Sequence, residues 1–169
     1  MHIDQVRRDR NVVAAAAIAI VDRTRDAVET STGLAGSGPA ALVAVVADPG
    51  LRIDELRRVL GLTHPGTVRL VDRLVEKGWV RRQSGVGREV LLMPTATGRA
   101  AERRVATARA DALAQLLAGL PDGDLHTIAT LLQPLLGAIV VDDVDAMRRL
   151  CRLCDRGICR DCPAETSAG

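Results

Sequence analysis

Apolar residues recur at helical spacing through the first 60 residues, and clusters of Gly and Pro separate the segments. Residues 3–30 contain no Pro or Gly and predict one long helix. Its stretch from 12 to 21 is apolar on nearly every side, which predicts burial on more than one side and is typical of a dimer element at a chain end. Breakers at 32–39 precede two shorter helices, at 40–47 and 53–60.

Residues 61–82 hold the most informative succession of helix and strand signals. Gly61 stops the preceding helix, Thr63 suits an N-cap, and Pro65 lies in the first turn, where its missing N–H costs nothing. The next helix ends at Gly78. Its two sides differ in chemistry, with Val68, Val71 and Val75 on one side and Leu74 near the edge, and Gly66, Arg69, Arg73 and Lys77 on the other.

The stretch after Gly78 predicts a β-hairpin, because short strands at 79–82 and 89–93 flank a Gly-containing turn at 83–88. Further helices are predicted at 99–117, at 124–136 with an interruption at Pro134, and at 142–154, and residues 164–169 predict disorder. The fold class is therefore mainly α, with a winged helix-turn-helix domain (helices plus a β-hairpin wing) flanked by N- and C-terminal helices.

Composition and charge change this picture only locally. Hydrophobic residues make up 47% of the 169, yet there is no Phe or Tyr and one Trp, so Ala, Leu and Val must form the core. A net charge of +2 gives no signal for nucleic acid over the whole chain. The apolar run at 12–21 is too short to span a membrane, which needs about 20 residues. Because no complete export signal accompanies the run, we predict a cytoplasmic protein without membrane contact.

The basic face of the helix at 63–77 predicts contact with double-stranded DNA. The positive N-terminal end of a helix attracts phosphate. Arg69 and Arg73 are one turn apart and can both reach base edges or the backbone. The alternative is a solvated basic face on an ordinary domain. Trp79 is predicted to be a core residue under the wing. The full predicted DNA-contacting set is Thr63, His64, Pro65, Gly66, Thr67, Arg69, Arg73, Lys77, Arg81, Arg82 and Arg88.

This arrangement resembles the MarR family of winged helix-turn-helix regulators. The resemblance rests on the helix-turn-helix pattern at 61–74, the lead into the wing at 76–82, and the strand and turn at 88–95 followed by Gly98. It implies homodimers with interlocking first and last helices, repression of transcription, and release from DNA by a small ligand or an oxidant. The wing departs from the family pattern, because Val86 replaces the usual Asp two residues before the Arg at 88. A looser wing is therefore expected.

Four cysteines near the C-terminus form a second candidate site. Cys151, Cys154, Cys159 and Cys162 give the spacing C-x2-C-x4-C-x2-C, and two C-x2-C pairs are a usual way to present four thiolates to one metal ion. Zinc is the expected cofactor, ahead of an iron–sulfur cluster. Reversible disulfides acting as a redox switch are the second interpretation, and four unrelated buried thiols are the third. Neighbouring arginines favour the thiolate form.

These features predict a sequence-specific transcriptional regulator, a repressor, that binds a pseudo-palindromic operator as a homodimer and responds to a metal or redox state. No catalytic constellation supports an enzyme. The alternatives are a small thiol- or metal-handling protein and an interaction module that does not bind DNA. Any small-molecule effector is unmarked in the sequence. The predicted division is a dimerisation helix at 1–32, the winged domain at 39–98, dimerisation helices at 99–150, the four-cysteine motif at 151–162 and a disordered tail at 163–169.

Overall fold

A computed structural model of the protein describes residues 2–87, 89–155, 158–159, 162 and 164. The described residues form seven helices and three strands. The helices are α1 (His2–Thr32), α2 (Gly38–Ala47), α3 (Ile53–Leu60), α4 (His64–Glu76), α5 (Ala96–Leu117), α6 (Asp122–Ile139) and α7 (Val144–Leu150). The strands are β1 (Leu51–Arg52), β2 (Val80–Ser84) and β3 (Val90–Pro94). The predicted class, mainly helical with a β-wing, is confirmed.

The sheet is antiparallel with the strand order β1-β3-β2. In the hairpin, Val80 pairs with Pro94 and Ser84 pairs with Val90, so the ladder extends further toward the turn than the sequence predicts. Leu51 of β1 pairs with Leu92 of β3. Strand β1 was not predicted, because a strand of two residues is too short to show alternation in the sequence.

The core lies where α2, α3 and α4 meet the sheet and the start of α5. It is built from aliphatic side chains, as the composition requires, and its fully enclosed members include Leu42, Val45, Leu56, Val71 and Leu92. Trp79 packs against this cluster and is only partly buried. The core therefore holds α4 by its inner face and leaves its outer face at the surface.

The first helix packs along α5. Thr24, Val28 and Thr32 are buried there. The run at 12–21, predicted to be buried on more than one side as a dimer element, is exposed in the single chain, since Val12 is 58% exposed and Ile18 is 63% exposed. The physical reason is length, because α1 has 31 residues and its N-terminal half is left uncovered by the described part of the same chain.

The C-terminal helices differ from their predicted bounds. Helix α6 starts two residues earlier and continues past Pro134, which removes one backbone donor without ending the helix. Helix α7 is shorter than 142–154, because Asp143 caps it through a bond from the Ala146 N–H at 2.8 Å and Cys151 ends it. Within the predicted tail only Ala164 is described, and it is buried. No helix in the described part of the chain is long and apolar enough to cross a membrane.

Candidate DNA-binding surface and cysteine segment

Helix α4 begins at a cap that the sequence predicted. The Gly66 N–H donates to Thr63 Oγ1 at 3.3 Å, and Pro65 lies in the first turn. A Cβ on residue 66 would lie 3.1 Å from Thr63 Oγ1, so glycine leaves room for the capping hydroxyl. His64 and Pro65 are exposed beside this cap. The first turn of α4 is therefore fixed with its backbone N–H groups near the surface.

The two faces of α4 separate sharply. Leu70, Val71 and Leu74 are buried in the core, whereas Arg69 and Arg73 are exposed on the opposite side. Among the ion pairs of the described residues, none includes either arginine. Both guanidinium groups therefore point their donors at the surface, where a phosphate or a base edge could accept them.

Thr67 does not belong to this surface. Its side chain is fully buried, and its hydroxyl donates to the Thr63 carbonyl at 3.0 Å. The predicted contact between Thr67 and DNA is therefore wrong. Thr67 is two residues, or about half a helical turn, from the exposed Arg69, so it lies on the core side of α4. It supports the cap instead.

An open groove of about 800 Å³ runs beside the outer face of α4. One wall is the connection between α1 and α2, from Ala35 to Ser37, and the other wall carries Arg69, Arg73, Asp72 and Glu76. The groove therefore carries two carboxylates beside its two guanidinium groups. Sequence reasoning did not find the Ala35–Ser37 wall, since nothing in that Gly-rich turn signals proximity to α4.

An ion pair connects the wing to α4. Arg82 Nη2 of β2 donates to Asp72 Oδ1 of α4 at 2.7 Å. Arg81 is exposed on the same strand. Arg88, the predicted contact at the wing turn, lies outside the described residues. The Gly85 N–H donates to the Glu89 carbonyl at 2.9 Å and closes the ladder before that turn.

The end of α4 is held by Trp79. Lys77 Nζ lies 5.0 Å from the centroid of the Trp79 ring, and the Arg104 guanidinium lies 5.9 Å from it. Both distances fall within cation–π range. Lys77, which was predicted to contact DNA, thus has an internal partner in this structure.

A hydrogen-bonded network beside the wing turn was not predicted from the sequence. The Arg52 guanidinium donates to Glu55 at 2.8 Å and to Glu89 at 2.9 Å, and the Arg52 N–H donates to Glu55 at 2.8 Å. These bonds hold the pKa of the Glu55 carboxyl below its usual value, chiefly through the Arg52 side chain. The same two glutamates raise the pKa of Arg52. The network connects the start of α3 to Glu89, the residue before β3.

The start of α5 closes on the base of the wing. Thr95 Oγ1 donates to the Gly78 carbonyl at 2.6 Å and accepts from the Gly98 N–H at 2.9 Å. A Cβ on residue 98 would overlap the Trp79 carbonyl. Glycine at 98 is therefore required for α5 to approach β2 this closely.

The first cysteine pair follows α7 without a break. The Cys151 N–H donates to the Met147 carbonyl at 2.9 Å, and the Cys154 N–H donates to the Cys151 carbonyl at 3.0 Å. This turn places the first C-x2-C pair at the end of α7. Cys159 is exposed and Cys162 is partly buried. Within the described residues, no three His, Cys, Asp or Glu side chains are already gathered as a metal-binding group.

The sequence was also compared with known protein families and structures. The sequence model of the MarR family matches residues 33–89, which run from the end of α1 to the wing turn. The chain carries a MarR family domain. The matched stretch contains α4, its cap and the groove wall at Ala35–Ser37. No curated protein matches the chain.

Solved structures share the fold over most of the chain. A MarR-family transcriptional regulator from Rhodococcus sp. RHA1 has a TM-score of 0.60 at 23% identity, covering 73% of this chain and 89% of its own. The YusO protein from Bacillus subtilis has a TM-score of 0.68 at 20% identity, covering 80% and 97%. The reduced form of MarR from E. coli has a TM-score of 0.65 at 22% identity, covering 73% and 95%. The structural similarity therefore extends to helices of this chain outside residues 33–89.

Proposed function

We propose that this MarR-domain protein is a sequence-specific DNA-binding transcriptional regulator that acts as a repressor in the cytoplasm. The observation that carries the proposal is the exposed pair Arg69 and Arg73 on the outer face of α4, whose inner face is fixed in the core. In this function α4 enters the major groove, and its capped first turn contacts a phosphate. His64, Pro65 and Gly66 lie at that end, and Arg81 follows the groove edge on the wing.

We further propose that two copies bind one pseudo-palindromic operator. Apolar side chains are exposed on α1 and α6, which belong to the segments 1–32 and 99–150 that were predicted to form the dimer. They are Ile3, Val12, Val13, Ile18, Ile20 and Val21 on α1, and Leu125, Ile128, Leu131, Leu132, Leu135 and Ile139 on α6. Covering a side chain of this size gains about 1.5–3 kcal/mol. A partner chain supplies that cover and sets the two α4 helices about one turn of DNA apart.

A gel-shift titration against the DNA upstream of the protein's own gene tests the function. The wild-type protein should bind with an affinity that falls steeply with salt, because phosphate contacts release counterions. Arg69→Ala should cost about 1–3 kcal/mol and relax sequence preference if that side chain reads a guanine. Arg103→Ala removes the same charge from an exposed position of α5 and serves as the matched control. Unchanged binding by the double variant Arg69→Ala/Arg73→Ala would refute the role of α4.

The four cysteines are proposed to bind zinc and to make the regulator responsive to a metal or redox state. The support is their spacing and the turn that joins the first pair at the end of α7. Four thiolates around Zn²⁺ carry a formal charge of −2, which Arg148, Arg149 and Arg152 can offset. The competing chemistry is a disulfide, in which peroxide takes two electrons from two thiols, their sulfurs join, and two waters leave.

Elemental analysis of protein purified without oxygen, together with a thiol count, separates these chemistries. Zinc at one ion per chain, with all four thiols titrating after chelation, supports the zinc proposal. Iron with acid-labile sulfide contradicts it in favour of a cluster. Absence of metal with fewer than four thiols contradicts it in favour of disulfides.

A further inference from the structure

The first cysteine pair, Cys151 and Cys154, lies between two parts of the structure. One is the DNA-binding unit, formed by α2, α3, α4 and the wing, and the other is the α1–α5 helix pair. Helix α7 packs against α3, and α3 packs against α4. Arg152, Leu153 and Cys154, which follow α7, line a cavity together with residues of α1 and α5. We call Val144–Cys154, which comprises α7 and the first cysteine pair, the strap. Its position makes it the part of the C-terminal region that contacts both units.

The far end of the strap forms one wall of a cavity of about 470 Å³. Leu150, Leu153 and Cys154 line this wall. The opposite walls come from α1, the start of α2 and α5, where Val21, Val28, Pro39 and Leu113 are typical members. Any movement of the cysteine pair therefore changes the cover of an apolar space between the long helices and the winged domain.

The strap is continuous in its hydrogen bonding. The Met147 N–H donates to the Asp143 carbonyl at 3.0 Å, the Cys151 N–H donates to Met147 at 2.9 Å, and the Cys154 N–H donates to Cys151 at 3.0 Å. Arg152 Nη1 also donates to the Arg149 carbonyl at 2.6 Å. Because these bonds run from the cap to the second cysteine, a ligand that fixes Cys151 and Cys154 fixes the whole strap.

We propose that the strap is the mechanical link through which zinc bound at Cys151, Cys154, Cys159 and Cys162 stabilises the position of the DNA-binding helix α4. This inference rests on the proposed function of the cysteines as a zinc site. Zinc replaces four thiol protons and orders the chain around it, since a metal site of this kind folds with its metal. The ordered strap holds α3 against the core and covers the cavity. Zinc loss frees the strap, and α3 and α4 lose that support together.

Amide hydrogen exchange on the full-length reduced protein, with zinc and with a chelator, tests the link without DNA. Zinc should slow exchange in 144–154 and, by about fivefold or more, in α3 at 53–60. The variant Cys151→Ser/Cys154→Ser should abolish both effects. Leu150→Ala keeps all four thiols, so it should still bind zinc while the protection of α3 falls. Circular dichroism checks that each variant remains folded.

The outcomes separate this inference from the proposed function. Zinc binding with protection confined to 151–162 overturns the link, as does full protection of α3 in Leu150→Ala. A chain that binds no zinc also overturns it, whether or not the chain binds DNA. Zinc-dependent protection of α3 in a protein without operator affinity would support the link while the proposed DNA-binding function fails.

Discussion

Arg82 and Asp72 join the wing to helix α4 through a hydrogen-bonded ion pair of 2.7 Å. The two residues are ten positions apart and lie on different elements, so the pair fixes the strand that leads to the wing relative to the proposed reading helix. Arg82 was predicted to contact DNA, and the structure gives its guanidinium this internal partner. The remaining donors of its fork stay available for phosphate.

A double-mutant cycle on this pair should give a small coupling in stability and a larger effect on DNA binding. The side chains are 37% and 44% exposed, so solvent screening limits the pair to roughly 0.2–1 kcal/mol. Urea unfolding of Arg82→Ala, Asp72→Ala and the double variant measures that term. In gel shifts, Asp72→Ala should weaken binding even though it removes a negative charge. Tighter binding by Asp72→Ala would mean that repulsion between the Asp72 carboxylate and DNA outweighs the contribution of its ion pair with Arg82 to wing position.

Much of this region could be predicted from the sequence because its signals are local. The Thr63 cap, the Gly61 stop and the hairpin each depend on neighbouring residues, and all three are present in the structure. The ion pair and the Arg52 network could not be predicted, because their partners meet only after the sheet has formed. Thr67 was misassigned for a different reason, since a helical wheel shows relative angles but does not show where the core begins.

Gly98→Ala should destabilise the fold, because the added methyl group would overlap the Trp79 carbonyl. Overpacking of this kind costs about 1–3 kcal/mol, and here the obstacle is backbone that cannot turn aside. Gly119→Ala is the matched control, since a Cβ there meets nothing within 4 Å. Denaturant unfolding at equal protein concentration compares the two. Equal stability of both variants would show that α5 can shift away from β2 without penalty.

The Arg52–Glu55 contact predicts a loss of stability in acid. The pKa of Glu55 is held below its ordinary value of 4.5, mainly by the Arg52 side chain and then by the Arg52 N–H. A carboxyl with a lowered pKa contributes its stability above that ordinary value and loses it as the pH falls through the lowered one. The free energy of unfolding should therefore depend less on pH below 4.5 in Glu55→Gln than in the wild type. Parallel curves for the two proteins down to full protonation would contradict this assignment.

A charge placed on the exposed apolar face of α6 should separate the proposed dimer. Leu131 is 73% exposed in the single chain, and Leu131→Glu would bury a carboxylate against a partner's apolar helices. Sedimentation should show a shift from dimer to monomer. Operator affinity should fall, because the winged domain of a monomer binds its half-site without a second, linked winged domain. Val86→Glu adds the same charge at a wing residue that is 89% exposed, and it should leave the dimer intact. If Leu131→Glu sediments like the wild type, the apolar face of α6 does not form the contact between copies, and the exposed residues of α1 become the surface to alter next.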